Sequence, residues 1–216
     1  ARHTSRKVLF FGRSKNARIR ALSVKGTETG LSFVLALPEE NITVDLKTPA
    51  VFMISNALAA AAVGYLLGLT AGEIKDGLEA FKPVTGRMNI LKTGRGITII
   101  DDTYNANPDS MKAAINTLRS LKRNNTGILV AGDMLELGKD SEFWHEQISK
   151  LLAEFSSVDQ LVLIGKNFGM GFPFLSQKTN AFYFSDWKQA NLFFDSEAQK
   201  KFVEQKNCLL IKASRG

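Results

Sequence analysis

The residues best suited to chemistry stand together at Asp101-Asp102-Thr103-Tyr104-Asn105-Ala106-Asn107-Pro108. They follow an apolar run and precede a helical pattern. A carboxylate at a strand end can accept two hydrogen bonds from a ribose diol, and the amino end of the helix behind it offers N–H groups to an anion. Asn107 suits the N-cap of that helix, and Pro108 suits its first turn. In open α/β sheets, ligands bind beyond the carboxyl ends of the strands, where this segment would lie. The same residues could also make a plain turn closed by an Asx cap, and both readings stand at this point.

Other candidates are weaker alone. Arg87, after Gly86, brings a planar, permanently charged fork that suits phosphate or a ribose edge, or equally a salt bridge between domains. Asn56 opens an alanine-rich helix and could present its amide to an adenine edge, or serve as a cap. Asp133 and Glu136, in Gly132-Asp133-Met134-Leu135-Glu136-Leu137-Gly138, put two carboxylates beyond another strand, where one could hold an ammonium group or simply line a solvated loop. Thr93-Gly94-Arg95-Gly96 reads as a turn leading into a strand. No G-x-x-x-x-G-K-[ST] phosphate loop occurs in the chain. His3 lies in an irregular start, and His145 reads as a packed or surface histidine. No Ser-His-Asp or metal-ligand cluster is evident, so metal is assigned to no residue.

The elements that must position these residues fall into two parts. Short β-type runs at Val8–Phe11, Ile19–Val24, Leu31–Leu37 and Ile42–Leu46 come first. A helix follows from Ile54 to Leu67, with Gly68 at C′. A second helix opens on the capping box Thr70/Glu73 and carries Ile74, Leu78 and Phe81 on one face. Pro83-Val84-Thr85-Gly86 reads as a linker. Beyond it, strands at Ile97–Ile100, Gly127–Ala131, Leu161–Ile164, Ala181–Phe184 and Cys208–Lys212 alternate with helices. One helix shows the face Met111, Ala114, Ile115, Leu118. Another shows Trp144, Ile148, Leu151, Leu152, Phe155. A third, capped by Asp186, runs from Trp187 to about Gln205. This alternation predicts an α/β fold with a mostly parallel sheet covered on both faces, compact from about residue 87 onward.

Composition narrows the classes. The formal net charge is +7, yet the basic residues are scattered. Their nearest cluster, Arg13, Lys15, Arg18 and Arg20, has no interleaved aromatics to stack bases, so no nucleic-acid partner is expected. The longest apolar stretch, Ala57 to Leu67, falls short of the ~18 residues of a membrane span and reads as a buried helix. The lone Cys208 sits in an apolar run and reads as a structural thiol. With no signal sequence at Ala1–Arg6, a cytoplasmic protein is expected. The abrupt start and the end at Gly216, directly after a strand, read as a piece of a longer protein.

Ser55-Asn56-Ala57-Leu58-Ala59-Ala60-Ala61-Ala62 is similar to the N-A-L-A-A helix of the Mur ligases, and Gly86-Arg87 resembles their joint motif. Asp101–Pro108 resembles the D-D-[ST]-Y-N-A-N of one branch of that family. Gly132–Gly138 followed by His145 resembles the same branch, and so does Lys212-Ala213-Ser214-Arg215-Gly216, against its K-G-S-R-G strand end. Two positions depart: Phe52 stands where the family usually has histidine, and Ala213 where glycine is commoner.

The resemblance implies an ATP-dependent amide ligase working through an acyl phosphate, with Mg2+ ligands largely outside this chain. Its substrates would be UDP-N-acetylmuramoyl-tripeptide and D-alanyl-D-alanine, and it would act as a monomer. Residues 1–84 would be the β-plus-helices end of a central ATP-binding domain, and 85–216 a Rossmann-like C-terminal domain. By the same resemblance Asn56, Arg87, Asp102 and Tyr104 would contact ATP. Asn105, Asn107, Asp133, Glu136, Lys212, Ser214 and Arg215 would be candidates for substrate contact. A related ligase adding another amino acid or polyglutamate should diverge at Tyr104–Asn107 and Asp133–Gly138. A non-catalytic nucleotide-binding module is the other alternative.

Overall fold

The structure is a computed structural model and describes residues 8–27, 30–94, 96–155, 158–175, 180–195 and 207–215. The chain divides into two compact units, Ala1–Pro83 and Val84–Gly216.

In the first unit β1 (Phe11–Gly12), β2 (Ile19–Gly26), β3 (Leu31–Ala36) and β4 (Asn41–Leu46) form a sheet in that order. β1 is parallel to β2, and the other pairs are antiparallel. Strand alternation turns Ile19, Phe33, Leu35, Val44 and Leu46 into one core with Ile54, Leu58, Ala61, Ile74 and Leu78 of α1 (Met53–Leu66) and α2 (Ala71–Ala80).

Three expectations are corrected in this unit. The strand expected over Val8–Phe11 is reduced to Phe11–Gly12, because its partner starts only at Ile19 and the amides of Arg18 and Ile19 both donate to Phe10 O. The buried helix is buried on one side only: Ile54, Ala57, Leu58, Ala61 and Ala62 face the core, while Leu66 and Leu67 are 64% and 75% exposed. Alanine is nearly indifferent to which side meets water, so an alanine-rich run does not declare its buried face. Phe81, expected beside Ile74 and Leu78, is instead the C-cap of α2, extended at ψ 132°, and is exposed.

The helix ends themselves match the sequence reading. Gly68 N donates to Tyr65 O at 3.1 Å and Leu69 N to Gly64 O at 3.0 Å, closing α1. Thr70 and Glu73 make the capping box of α2.

The second unit is built on β5 (Asn89–Lys92), β6 (Thr98–Asp102), β7 (Gly127–Gly132), β8 (Gln160–Ile164), β9 (Ala181–Phe184) and β10 (Cys208–Lys212). The sheet order is β5-β6-β10-β7-β8-β9. All neighbours are parallel except the β5–β6 hairpin, where Gly96 N donates to Thr93 O at 3.0 Å, in keeping with the turn expected there. β5 itself was not expected. It is a four-residue edge strand with no in–out alternation to reveal it. The last strand enters the middle of the sheet, between β6 and β7, and sets Lys212 level with both Asp102 and Ala131.

Helices cover both faces of this sheet. α3 (Pro108–Lys122) packs on β10 and β7, burying the expected Met111, Ala114, Ile115 and Leu118. α6 (Trp187–Asp195) puts Ala190 against Val130, Val162 and Ile164, with Leu209 and Ile211 beside them. The expected continuation of α6 to about Gln205 lies outside the described residues.

α4 (Ser141–Glu154) buries His145, Ile148, Ser149 and Leu152. The face expected through Trp144, Leu151 and Phe155 is therefore rotated, because His145 and Ser149 are drawn inside and those three are half-buried. The short α5 (Lys166–Gly171) was not expected. Among the described residues no helix is long and apolar enough to cross a membrane.

Cys208 is buried, and desolvation pushes its thiol up to about 11 from the ordinary 9.0. A folded value above the unfolded one means the thiol's contribution to stability is intact below pH 9 and is lost as pH rises to about 11. Denaturation midpoints of the wild type should therefore fall more steeply across that window than those of Cys208→Ala. A thiol-specific disulfide reagent at pH 8 should label the protein only after denaturant is added. Equal slopes, or rapid labelling of the folded protein, would contradict the burial.

Candidate functional site

Four segments converge at the carboxyl ends of β6, β10 and β7. They are Gly86–Met88 before β5, residues 103–107 after β6, 133–138 after β7, and 213–215 after β10. Asp102 is at their centre. One of its oxygens accepts the Met88 amide at 3.2 Å, and the other accepts Lys212 Nζ at 2.5 Å. Lys212 Nζ also donates to Asn105 O at 3.0 Å. Lys212 is only 1% exposed. Burial holds its ammonium below the usual lysine range; Asp102 opposes that shift and the Arg87 charge adds to it.

The loop leaving β6 is shaped by its own side chains. Asp101 accepts from Thr103 N and Thr103 Oγ1, at 3.2 and 2.7 Å. Asn107 is the expected N-cap of α3: its side-chain oxygen accepts Ser110 N at 2.8 Å, and Pro108 opens the helix. Tyr104 N donates to Gly86 O at 2.9 Å. Gly86 has φ +76°, where any residue with a Cβ is strained, and a Cβ there would also crowd Tyr104 N at 3.2 Å. The Tyr104 ring, 39% exposed, has the Arg87 guanidinium 3.9 Å from its centroid and that of Arg215 at 5.3 Å. Both arginines are exposed, so two fixed positive charges flank an open aromatic face.

Ser214 ties three strand ends together. Its hydroxyl oxygen accepts Ala106 N and Leu135 N, each at 3.1 Å, and its proton can go to Asn105 Oδ1 at 2.8 Å. Ser214 N donates to Asp133 O at 3.3 Å. The alanine at 213, where glycine was expected, is accommodated by Gly132: a Cβ added there would lie 2.8 Å from Ala213 Cβ.

Asp133 does not face outward as a free ammonium receptor. Its oxygens accept the amides of Asn167 and Phe168 at the start of α5, both at 3.1 Å. Glu136 is exposed and holds a left-handed φ of +62°, an uncommon conformation for glutamate. His145 is packed, as one of its two expected alternatives had it. Its Nε2 accepts Met134 N at 3.0 Å and lies 3.7 Å from Asp133. That acceptance leaves the proton on Nδ1, which donates to Ser141 O at 2.7 Å. His145 therefore fixes the 133–135 segment, which explains why the histidine accompanies that motif.

Asn56 belongs to the other unit. It is exposed on α1, where its amide donates to Met53 Sδ at 3.4 Å. It is not the cap: Phe52 holds that position with no side-chain capping bond. Lys212, expected at the substrate, is buried beneath the loops instead. Met88 escaped the sequence reading because its contribution to Asp102 is a backbone amide. Among the described residues no group of three or more His, Cys, Asp or Glu could hold a metal ion.

A mostly parallel sheet with a reversal in strand order, and charged and aromatic groups gathered over its carboxyl ends, defines an α/β domain of Rossmann-like class, in which that edge is where ligands bind. Residues 86–215 match the Mur ligase glutamate ligase domain, and residues 1–64 match the Mur ligase middle domain. The chain belongs to the Mur ligase family. It is 34% identical over 211 residues to the UDP-N-acetylmuramoyl-tripeptide–D-alanyl-D-alanine ligase of Buchnera aphidicola, covering 98% of this chain and 44% of that protein. A crystal structure of MurF from Acinetobacter baumannii is similar with a TM-score of 0.81 at 30% identity, over 95% of this chain and 43% of that one. The MurF ligase of Thermotoga maritima in complex with ADP shares the fold, with a TM-score of 0.76 at 23% identity over 96% and 45% of the two chains. The chain thus spans under half the length of these relatives.

Ser214→Ala should remove the acceptor of the Leu135 amide, while Ala106 N keeps Asn105 Oδ1 at 2.8 Å. The expected cost is about 1–3 kcal/mol in chemical denaturation. Hydrogen exchange should accelerate more at Leu135 than at Ala106. Equal or unchanged protection at the two amides would show that the hydroxyl does not hold the 133–138 segment.

Proposed function

We propose that this chain is part of an ATP-dependent ligase that joins D-alanyl-D-alanine to UDP-N-acetylmuramoyl-tripeptide in the building of peptidoglycan precursors. Residues 1–84 serve as the end of the central ATPase domain, and 85–216 as the C-terminal ligase domain. The observation that carries the reading is the cluster of Asp102, Tyr104, Arg87 and Arg215 over the sheet's carboxyl ends, in a family member 34% identical to a ligase of that name.

The residues present fit the nucleoside side of ATP. Asp102 keeps 12% of its side chain accessible, and a carboxylate has about four acceptor sites, so lone pairs remain for a ribose diol beside Met88 and Lys212. Arg87 and Arg215 supply positive charge, and Tyr104 supplies a flat apolar face. Ser214, Asn105 and Asn107 shape the loops, and Glu136 is the exposed carboxylate available to the dipeptide's ammonium group. By the same reading the ligase works as a monomer, in the cytoplasm, where ATP is supplied.

In the reaction, a carboxylate oxygen of the tripeptide attacks the γ-phosphorus and ADP leaves. The dipeptide amine then attacks the acyl carbon, losing a proton, and inorganic phosphate departs. Bound Mg2+ would neutralise phosphate charge, and its ligands lie in the phosphate-binding part of the ligase. This chain's residues hold the nucleoside and order the loops that keep water from the acyl phosphate.

Two outcomes test the reading. The purified 216-residue chain, having no phosphate loop, should release no phosphate from ATP with both substrates present. Release dependent on ATP and the dipeptide would overturn this. In the intact ligase, Asp102→Asn should weaken ATP use by about 1–3 kcal/mol through lost ribose hydrogen bonds. Unchanged KM and kcat for ATP would remove Asp102 from the site.

A further inference from the structure

We propose that Lys212 is a positioning residue for nucleotide recognition: from inside the sheet it sets the direction of the Asp102 carboxylate and the course of the loop behind it. The inference rests on the nucleotide reading of Asp102 given above. It departs from the expectation that Lys212 touches substrate.

The geometry carries it. Parallel pairing of β10 with β6 puts Lys212 in register with Asp102 on the adjacent strand, and alternation sends both side chains to the same face. The ammonium has two defined acceptors, Asp102 Oδ2 and Asn105 O, three residues apart on the loop that carries Tyr104. A carboxylate with one oxygen held by the Met88 amide and the other by Lys212 cannot rotate about its terminal bond, so its remaining lone pairs point in one direction. The Asn105 carbonyl, fixed by the same ammonium, orients the peptide preceding Ala106. That peptide's N–H is in turn held by Ser214, two residues beyond Lys212. A lysine that is 1% exposed, with its ammonium engaged by Asp102 and Asn105, does not present itself to a substrate. Its influence on the reaction runs through Asp102 and the loop.

A lysine chosen only to fill the interior would be a poor choice. A buried ion pair gives no assured gain over a hydrophobic pair of similar volume, because both charges must be desolvated. The gain that a charged pair does bring is orientation: a fixed carboxylate reads the ribose diol without first losing rotational freedom. That gain appears in discrimination between nucleotides, which a structural filler does not affect.

The test uses the intact ligase with ATP and 2′-deoxy-ATP as probes, comparing wild type, Lys212→Met and Lys212→Arg, with thermal melting in parallel. Wild type should prefer ATP by about tenfold in kcat/KM, equivalent to about 1.4 kcal/mol. In Lys212→Met the preference should collapse towards one and the KM for ATP should rise by about tenfold, with the KM for D-alanyl-D-alanine unchanged. Lys212→Arg, which keeps a displaced charge, should give intermediate discrimination, and it carries the test alone if the methionine variant does not fold. If the variants melt lower yet keep the full ATP preference, Lys212 is structural only and the proposal falls. A rise in dipeptide KM in place of ATP KM would assign Lys212 to the other substrate and overturn it too. Absence of any ATP preference in the wild type would bring down the nucleotide reading of Asp102 itself, and the proposal with it, a result distinct from failure in the variants alone.

Discussion

The pairing of Lys212 with Asp102 joins the last strand of the chain to a strand 110 residues earlier, and it does so in the interior. Two charges buried together are tolerated only with good geometry and further hydrogen bonds. Removing one partner from such a pair costs about 3–5 kcal/mol, because the other is left uncompensated. Here the further bonds are the Met88 amide on the carboxylate and the Asn105 carbonyl on the ammonium. Any register of β10 other than the observed one would separate the charges. The pair therefore acts as a register pin for a strand that lies in the middle of the sheet. A purely apolar strand such as Cys208–Ile211 lacks such a device, since Leu209 and Ile211 could exchange faces with Cys208 and Leu210 at modest apolar cost.

The entry of β10 between β6 and β7 has a second consequence. It brings Ser214 between the loops that leave the two flanking strands, and one hydroxyl then serves the amides of Ala106 and Leu135. The 103–107 and 133–138 segments would otherwise be separate strand-end loops. Through Ser214 and Lys212 they share a support, so displacement of one loses a hydrogen bond that the other also depends on. Behind the second loop, His145 and Asp133 complete the arrangement by satisfying Met134 N and the amino end of α5. Polar residues inside this unit are thus largely occupied with buried backbone groups, as the cost of leaving such groups unpaired demands.

Much of this was legible in the sequence where the controlling physics is local. The Thr70/Glu73 box, the Asn107-Pro108 helix start and Gly68 all depend on a few adjacent residues, and each stands as its spacing predicts. The apolar strands of the second unit were legible for the same reason. β5 was not, because Asn89–Lys92 is short and passes from two half-buried residues to two exposed ones, with no alternation. The buried side of α4 was legible in part: Ile148 and Leu152 are buried as expected, but hydrophobicity points on to Trp144 and Leu151, whereas the fold brings in His145 and Ser149. The sequence left His145 between a packed and a surface position, because the backbone N–H that it satisfies, that of Met134, is visible only in three dimensions.

Within the site, residue type was a better guide than role. Asp102, Tyr104, Arg87, Ser214 and Arg215 do gather, but Asp133 and Lys212 look inward. A charged residue at a strand end has two physical options: to meet a ligand, or to hold the group that meets it. Side-chain length and register decide between them. Asp133 is level with the first amides of α5, and so it caps them. Lys212 is level with Asp102 and long enough to reach Asn105 O, so its charge is used beneath the loop. Arg215, three positions further and beyond the strand, has no partner strand to hold it and turns towards Tyr104 instead. The division among these charges follows from where the ladder of β10 ends: beyond Lys212 the chain leaves the sheet, and by Arg215 its side chain is exposed.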